Sequence, residues 1–188
     1  MSKGLCSIEV FKILILGLDA SGKTTLARKI ALQPHRSKYY PTIGLNFYKA
    51  YIKKKPVVLW DLAGLQQFRS LWQVFFPGAD GVLFVVDASN YDETFESIGI
   101  LDSIINSLQC PIVVLVNKQD KPGALPPEVL TSLIDNPRFH VFGTSIFQEN
   151  GIEKAVNYLM KLILKQRKQR APLAAQAYAK RRRRKKGS

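Results

Sequence analysis

Short apolar runs alternate along this chain with segments whose apolar residues recur at helical spacing. Two of the runs, GVLFVVD at 81–87 and PIVVLVN at 111–117, are dense in β-branched residues, as strands buried on both faces usually are. The pattern predicts six strands, at residues 10–16, 44–51, 56–61, 81–87, 111–117 and 139–144. This alternation predicts an α/β fold built on a doubly wound, mostly parallel sheet.

The second and third predicted strands are joined by only four residues, 52–55. A connection of that length excludes a crossover helix, so these two strands should run antiparallel. Apolar periodicity predicts about five helices, at residues 22–32, 66–76, 92–107, 127–134 and 150–168. Pro172 should end or kink the last of them, and the segment LAAQAYAK that follows fits either a short helix or disorder.

Charge divides the chain into a nearly neutral domain and a basic tail. Of the 28 basic residues, 12 lie within residues 161–188, which contain no Asp or Glu, and the net charge of the chain is +14. We therefore expect a short N-terminal extension at 1–9, one domain at 10–168, and a basic tail at 169–188. Charge runs such as residues 180–186 are typical of disordered segments.

The loop after the first predicted strand reads GLDASGKTT, residues 17–25. Gly17 and Gly22 allow successive backbone N–H groups to turn inward around an anion, and the helix that follows adds its positive dipole end. An ammonium at Lys23 can reach terminal phosphates, and a hydroxyl at Thr24 can ligate Mg²⁺. The spacing predicts a nucleoside triphosphate site made by Asp19, Ala20, Ser21, Gly22, Lys23, Thr24 and Thr25.

The segment NKQD at 117–120 follows a buried strand and indicates which purine is bound. A carboxylate at Asp120 can accept hydrogen bonds from guanine N1–H and the 2-amino group. Adenine lacks that pair of donors and would leave the carboxylate unpaired, which is a costly mismatch. The Asn117 amide can reach the other edge of the base, and the stem of Lys118 can pack over the ring. This segment predicts guanine rather than adenine.

Two segments between these motifs can sense the γ-phosphate. Asp61 ends a predicted strand and can hold Mg²⁺ directly or through water, and Gly64 allows a backbone N–H to approach the phosphate. Thr42, before the second strand, can ligate Mg²⁺ when its loop folds over a triphosphate. The predicted metal ligands are therefore Thr24, Thr42 and Asp61.

The cysteines and histidines of the chain bear on its cellular compartment and on metal binding. Cys6 and Cys110 do not suggest a disulfide framework, and no secretory signal is recognisable. No apolar run approaches the about 20 residues that a membrane span needs. His35 and His140 are isolated and do not suggest a metal site. We expect a cytoplasmic or nuclear protein.

These motifs resemble those of the Arf/Arl (ADP-ribosylation-factor-like) small GTPases, in the same order and spacing from about residue 11 to residue 163. The segments that carry the resemblance are GLDASGKTT, PTIGLNF at 41–47, WDLAG at 60–64, FRSLW at 68–72, GVLFVVD and NKQD. The resemblance implies the P-loop G-domain fold, with six strands, one of them antiparallel, and about five helices. It also implies that the chain is a GTP/GDP switch that uses Mg²⁺ and acts in intracellular trafficking.

The resemblance implies further roles for particular residues. Ser145 and Ile146, with Thr144 before them, match the loop that contacts the guanine carbonyl. In this family the two strands between the switches slide by a register step on activation, and three aromatic residues then contact effectors. Phe47, Trp60 and Phe75 hold those positions here. An exchange factor and an activating protein are implied as partners of a monomer.

One departure concerns catalysis. The family places a water-orienting glutamine directly after the glycine of the DxxG motif, and this chain has Leu65 there. Leucine has no donor or acceptor to orient water, so Thr42 and Gly64 remain as the catalytic candidates and intrinsic hydrolysis should be slow. Gln66 stands one residue late and can substitute only if the backbone shifts.

Two further departures concern the termini. Residue 2 is Ser2, so the glycine needed for myristoylation is missing, and no C-terminal cysteine is present for prenylation. Cys6 is a candidate for palmitoylation. The basic run can bind anionic lipid headgroups, serve as a nuclear import signal, or contact RNA phosphates, the last being disfavoured because aromatic residues are sparse there.

The sequence leaves several functions open. The leading interpretation is an Arf-like switch that recruits effectors in its GTP form. A constitutively GTP-bound scaffold and a nuclear or RNA-associated factor targeted by the tail are the alternatives. A P-loop kinase or ATPase is disfavoured by NKQD.

Overall fold

The structure is a computed structural model that describes residues 9–34, 42–134 and 136–186, with backbone only from residue 171 onwards. A six-stranded sheet has the order β2-β3-β1-β4-β5-β6. Only β2 and β3 pair antiparallel, as their short connection predicts, and the other neighbours are parallel. The strands are β1 (Phe11–Gly17), β2 (Leu45–Ile52), β3 (Lys55–Leu62), β4 (Gly81–Asp87), β5 (Ile112–Asn117) and β6 (Phe139–Gly143).

Helices follow most of the strands and cover both faces of the sheet. They are α1 (Lys23–Ile30), α2 (Gln66–Arg69), α3 (Trp72–Phe75), α4 (Tyr91–Ile104), α5 (Pro127–Ile134) and α6 (Ile152–Lys186), with a 3-10 turn at Ile105–Ser107. The α/β class and the doubly wound sheet predicted from the sequence are confirmed. None of the helices in the described part of the chain is long and apolar enough to span a bilayer.

Alternation along the central strand divides the core into two layers. Ile13 and Ile15 pack with α1 and α6, whereas Leu14 and Leu16 pack with α4 and α5 on the other face. All four side chains are 0% exposed. Burial on both faces explains why β1, β4 and β5 are almost continuously apolar, and it makes the sheet a rigid support for the loops at its ends.

The loop after β1 and the segments that follow β3, β5 and β6 meet at one edge of the sheet. Parallel neighbours place their carboxyl ends together, and ligands of open α/β sheets bind in the crevice outside those ends. The topology therefore brings GLDASGKTT, the Asp61–Gly64 segment, NKQD and Thr144–Ile146 to the same place, although they are far apart in sequence.

The predicted helix at 66–76 is wrong in one respect, because the structure has two short helices there, α2 and α3. The indole N–H of Trp72 donates to the carbonyl oxygen of Ala63 at 2.9 Å, and the ring packs at its edge against Phe84 with centroids 6.4 Å apart. This buried anchor fixes where α3 begins, so the chain turns at Ser70 and Leu71 instead of continuing one helix.

The predicted end of the last helix is also wrong, because α6 continues through Pro172 to Lys186. Proline removes one backbone donor, but the residues after it are mainly Ala, Leu, Gln, Lys and Arg, which favour helix. The domain limits 10–168 and 169–188 stay predictions. Ser2, Cys6, His35 and Pro41 lie outside the described residues, as does most of the extension 1–9.

Candidate nucleotide site

The loop between β1 and α1 is built to hold an anion. Gly22 caps α1 with φ 106°, in the left-handed region that favours glycine, and no side chain caps the helix. A Cβ at Gly22 would lie 2.6 Å from Asn117 Nδ2, so no other residue fits without displacing that amide. The first N–H groups of a helix have no partner within the helix, so those of α1 are available to phosphate oxygens.

Lys23 places a buried ammonium beside this loop. The residue is 5% exposed, and its Nζ donates to the carbonyl oxygen of Leu18 at 2.5 Å. Burial lowers the pKa of Lys23 to about 8, and the charges of Asp61 and Asp19 oppose that shift. A phosphate at the loop would stabilise the protonated form, and the contact of this ammonium with terminal phosphates stays a prediction.

Three oxygen-bearing side chains predicted to hold Mg²⁺ meet next to Lys23. The Thr24 hydroxyl lies 2.7 Å from Asp61 Oδ2, to which it donates, and 2.9 Å from Thr42 Oγ1. Asp61 is 0% exposed, and burial raises its pKa, although the Thr24 hydrogen bond and the Lys23 charge lower it. Asp61 Oδ1 is buried and makes no hydrogen bond of standard geometry among the described residues, although the Asn46 side chain lies close enough to lower the pKa of Asp61.

This arrangement fits a magnesium ion. A buried carboxylate oxygen without a hydrogen bond of standard geometry is costly, and a cation next to it would remove that cost. The described residues contain no cluster of three or more His, Cys, Asp or Glu that can hold a metal. One carboxylate and two hydroxyls suit Mg²⁺, which prefers oxygen ligands and takes most of the others from water and substrate phosphates.

The segment that follows β3 is hydrogen-bonded to the segment that precedes β2. The backbone N–H of Ala63 donates to the carbonyl oxygen of Gly44 at 2.9 Å, which ties the residues after β3 to those before β2. Because Thr42 contacts Thr24, the segment before β2 lies against the phosphate loop. Thr42 therefore lies beside the start of α1, and its role as a Mg²⁺ ligand stays a prediction.

Gly64 lies close to the phosphate loop. A Cβ on Gly64 would lie 2.5 Å from Lys23 Nζ and 2.7 Å from the backbone nitrogen of Asp19, so a side chain has no space here. Leu65 follows as the half-buried N-cap of α2 and forms no side-chain cap hydrogen bond. Arg69 donates to the Gly64 carbonyl oxygen at 2.9 Å and forms an ion pair with Glu96, which links this segment to α4.

The residues predicted to contact guanine occupy one side of the same crevice. Asp120 Oδ1 accepts a hydrogen bond from Ser145 Oγ at 2.5 Å, and this positions the carboxylate. Ile146 is 7% exposed and would lie 3.0 Å from a Cβ on Gly22. The loop that contains Ser145 and Ile146 is therefore next to both NKQD and the phosphate loop.

Asn117 and Lys118 make contacts that the sequence analysis did not anticipate. The Asn117 amide donates to the carbonyl oxygen of Ser21 at 2.9 Å, so it links NKQD to the phosphate loop. Lys118 forms an ion pair with Asp87 at the end of β4. Sequence reasoning missed Asp87, and its signal was a carboxylate at the last position of a fully buried strand, as Asp61 lies at the second-last position of β3.

The three aromatic residues predicted to face effectors form one contiguous cluster. The rings of Phe47 and Trp60 meet edge to face with centroids 4.7 Å apart, and the ring centroids of Trp60 and Phe75 are 5.9 Å apart. Phe47 is 57% exposed, and the other two are half-buried. Lys12, also missed, lies 4.0 Å from the Trp60 ring centroid and donates to the carbonyl oxygen of Phe75 at 2.6 Å.

Comparison with known proteins agrees with this geometry. The model of the Arf, or ADP-ribosylation factor, family matches residues 2–163. The chain belongs to this family. ADP-ribosylation factor-like protein 8b of Arabidopsis thaliana is 31% identical over 162 residues, which cover 81% of this chain and 88% of that protein.

A solved structure shows the same fold. It is the Arl6 BBS3 small GTPase from Trypanosoma brucei with the bound nucleotide analogue GppNp. The TM-score is 0.70 at 24% identity, with 84% of this chain and 99% of that chain covered. Membership of the Arf family makes this chain a small GTPase whose cofactors are GTP or GDP and Mg²⁺.

Proposed function

We propose that this Arf-family protein is a switch whose closed form is assembled by GTP and Mg²⁺. The proposal rests on the contacts of Thr24 Oγ1 with Asp61 Oδ2 and Thr42 Oγ1, beside a carboxylate oxygen that makes no hydrogen bond of standard geometry among the described residues. Bound Mg²⁺ would neutralise phosphate charge and draw Thr42 toward the loop. Loss of the γ-phosphate releases such segments in GTPases, which is how nucleotide state becomes a change of shape.

Intrinsic hydrolysis is slow in this proposal. Leu65 stands directly after Gly64 and offers no hydrogen bond to an attacking water, whereas Lys23, Thr24 and Asp61 still hold the phosphates and the ion. The protein would then remain in the GTP form until an activating protein supplies the missing group. An exchange factor would load GTP again after hydrolysis.

Effectors of the GTP-bound monomer bind the cluster of Phe47, Trp60 and Phe75. Support comes from exposed apolar residues close to the cluster in sequence, because Ile43, before β2, is 82% exposed and Val74, beside Phe75, is 68% exposed. Contiguous exposed apolar surface marks interaction sites, and here it adjoins both segments that respond to nucleotide. A scaffold that stays GTP-bound is the second candidate, which Leu65 favours.

Titration calorimetry with GTP and ATP tests the nucleotide assignment. We expect GTP to bind at least about 100-fold more tightly, because adenine would leave Asp120 unpaired. Asp120→Asn should weaken GTP binding and reduce that ratio. Asp92→Asn, an exposed carboxylate on α4, is the matched control and should change neither. Equal affinities for the two nucleotides in the folded wild-type chain would refute the proposal.

The basic tail supports a location for this activity. We propose peripheral association with an anionic membrane on the cytoplasmic side, because residues 180–186 are all Lys or Arg. Nuclear import through the same run is the alternative, and RNA contact is disfavoured. Deleting residues 180–188 in cells separates these, since the protein would leave either a membrane or the nucleus.

A further inference from the structure

The turn between β2 and β3 carries three consecutive lysines, Lys53, Lys54 and Lys55, which we call the turn lysines. All three are exposed. Lys53 and Lys54 have φ 49° and 60°, the left-handed values of a two-residue hairpin turn. Asn-Gly or a similar pair is preferred in such turns, so the lysines stand where backbone conformation favours other residues. Their presence calls for an explanation other than turn stability.

Within the described residues no acidic side chain pairs with the turn lysines. The sequence has no Asp or Glu between Asp19 and Asp61, and none of the ion pairs in the described part of the chain includes a turn lysine. In contrast, Lys29 pairs with Glu149 and Lys118 with Asp87.

The outward face of β2 continues this surface. Tyr51 is 78% exposed, and Lys49, two residues earlier on the same face, is also exposed. Alternate residues of a strand share a face, so Lys49 and Tyr51 lie on one face of β2, directly before the turn. Tyrosine prefers the headgroup level of a bilayer, where its ring is partly buried and its hydroxyl is hydrated.

The turn lies at the end of the sheet opposite to the nucleotide site. β3 starts at Lys55 and reaches Asp61 six residues later, a distance of about 20 Å along a strand. Helix α6 runs toward the same end, because Arg167 contacts Asp80 at 2.6 Å and lies 4.0 Å from the Phe11 ring, where β4 and β1 begin.

From this end α6 projects away from the domain. Its backbone continues for sixteen residues after Arg170, to Lys186, which is about 24 Å of helix. The basic run at 180–186 occupies the last part of that projection. One end of the molecule therefore carries two separate basic projections, the turn and the end of α6.

We infer that the turn lysines are a second membrane contact, which acts with the basic end of α6 on a bilayer of anionic phospholipid. A convex turn offers no groove for a nucleic acid strand, but two points that project from one end of a domain can touch the same flat surface. The nucleotide site would then face the aqueous side. This inference deepens the proposed membrane location and is independent of GTP hydrolysis.

The test uses the full-length chain and sedimentation with vesicles of phosphatidylcholine, with and without phosphatidylserine. The test variant is the triple change Lys53→Gln, Lys54→Gln and Lys55→Gln. Three exposed lysines elsewhere give a control with the same change in net charge: Lys121→Gln, Lys154→Gln and Lys161→Gln. Binding of a fluorescent GTP analogue to each variant checks that the domain is folded and active.

The turn variant should bind phosphatidylserine vesicles about 100-fold more weakly than wild type, because each basic residue near an anionic surface contributes about fivefold. The control variant should lose much less affinity for these vesicles, and the loss of affinity in both variants should be smaller in high salt. Deletion of residues 180–188 should weaken vesicle binding, and adding the three turn substitutions to that deletion should abolish the binding that remains. Equal losses in the turn and control variants would overturn the inference.

Two other results would also overturn it. One is undiminished vesicle binding by the turn variant. The other is loss of single-stranded RNA binding by that variant while vesicle binding is kept, which would make nucleic acid the partner. Weak binding of the GTP analogue by every variant would count against the proposed nucleotide switch instead, so the two failures are distinguishable.

Discussion

Asp61 shows how a single residue can connect folding to ligand binding. Its side chain is 0% exposed, one oxygen accepts from Thr24, and the other makes no hydrogen bond of standard geometry among the described residues. Folding therefore retains an unfavourable group that a bound Mg²⁺ would relieve, and ion binding would gain free energy from that relief. The same ion can hold Thr42, whose segment must be closed for the site to be complete.

Leu65→Gln should increase single-turnover GTP hydrolysis by about 100-fold, because a glutamine there can orient the attacking water. The residue follows Gly64, which meets the phosphate loop, so its side chain starts from the correct place. Hydrolysis is measured from preloaded [γ-³²P]GTP after Mg²⁺ is added. GTP affinity should stay unchanged, since Leu65 is outside the phosphate cradle.

Leu65→Met is the matched control, because it changes the shape of the side chain without adding a hydrogen-bonding group of comparable strength. Gln66→Ala should leave the slow wild-type rate as it is. A wild-type rate that falls in Gln66→Ala, with no gain in Leu65→Gln, would mean that Gln66 performs this role after a backbone shift.

The segments predicted to hold the phosphates could be located from the sequence because each adjoins a strand that a local pattern identifies. Residues that connect these segments could not. Asn117 donates to Ser21, and Lys118 pairs with Asp87, across separations of 96 and 31 residues. No local pattern encodes such contacts, which depend on the order of strands in the sheet.

At the scale of elements, helix limits were harder to predict than strands. The predicted strand 81–87 and helix 127–134 match the structure, because turn-forming residues flank each of them in the sequence. The helix predicted at 66–76 is divided by the anchoring of Trp72 to Ala63, a tertiary contact. The residues beyond Pro172 favour helix strongly enough that one lost hydrogen bond does not end α6.

Arg167→Met should lower the free energy of unfolding by about 2 kcal/mol, because it removes hydrogen bonds to a charged partner. Arg167 Nε and Nη2 lie 3.0 and 2.6 Å from Asp80 Oδ1, and Asp80 has only 16% of its side chain exposed. This contact fixes α6 at the start of β4. Urea denaturation in saturating GTP measures the loss.

Lys165→Met on the exposed face of α6 controls for the change in charge and helix propensity. It should lower the free energy of unfolding much less than Arg167→Met does. Similar losses in the two variants would show that Asp80 is held well enough by the backbone N–H of Lys12, which donates to its Oδ2 at 2.8 Å.

At the scale of the whole molecule, the two ends of the sheet have different chemistry. The carboxyl ends of the strands hold the nucleotide residues, and the β2–β3 strands carry Phe47 and Trp60 along one edge. The opposite end carries the turn lysines, and α6 runs toward it. The sequence indicates the amount of positive charge, but the strand order and the direction of α6 decide that the turn and the tail share one end.

Phe47→Asp should weaken GTP-dependent effector binding strongly without changing nucleotide affinity. Phe47 is the most exposed member of the aromatic cluster, and its ring contacts Trp60 rather than the nucleotide residues. An apolar side chain buried at the centre of an interface contributes about 3 kcal/mol, so the affinity should fall about 100-fold.

Phe95→Asp on α4 is the control, because Phe95 is 56% exposed against 57% for Phe47. The measurement is quantitative pull-down of proteins that bind the GTP-loaded but not the GDP-loaded chain. Equal retention by both variants would place the effector surface elsewhere, and loss in Phe95→Asp alone would place it on α4.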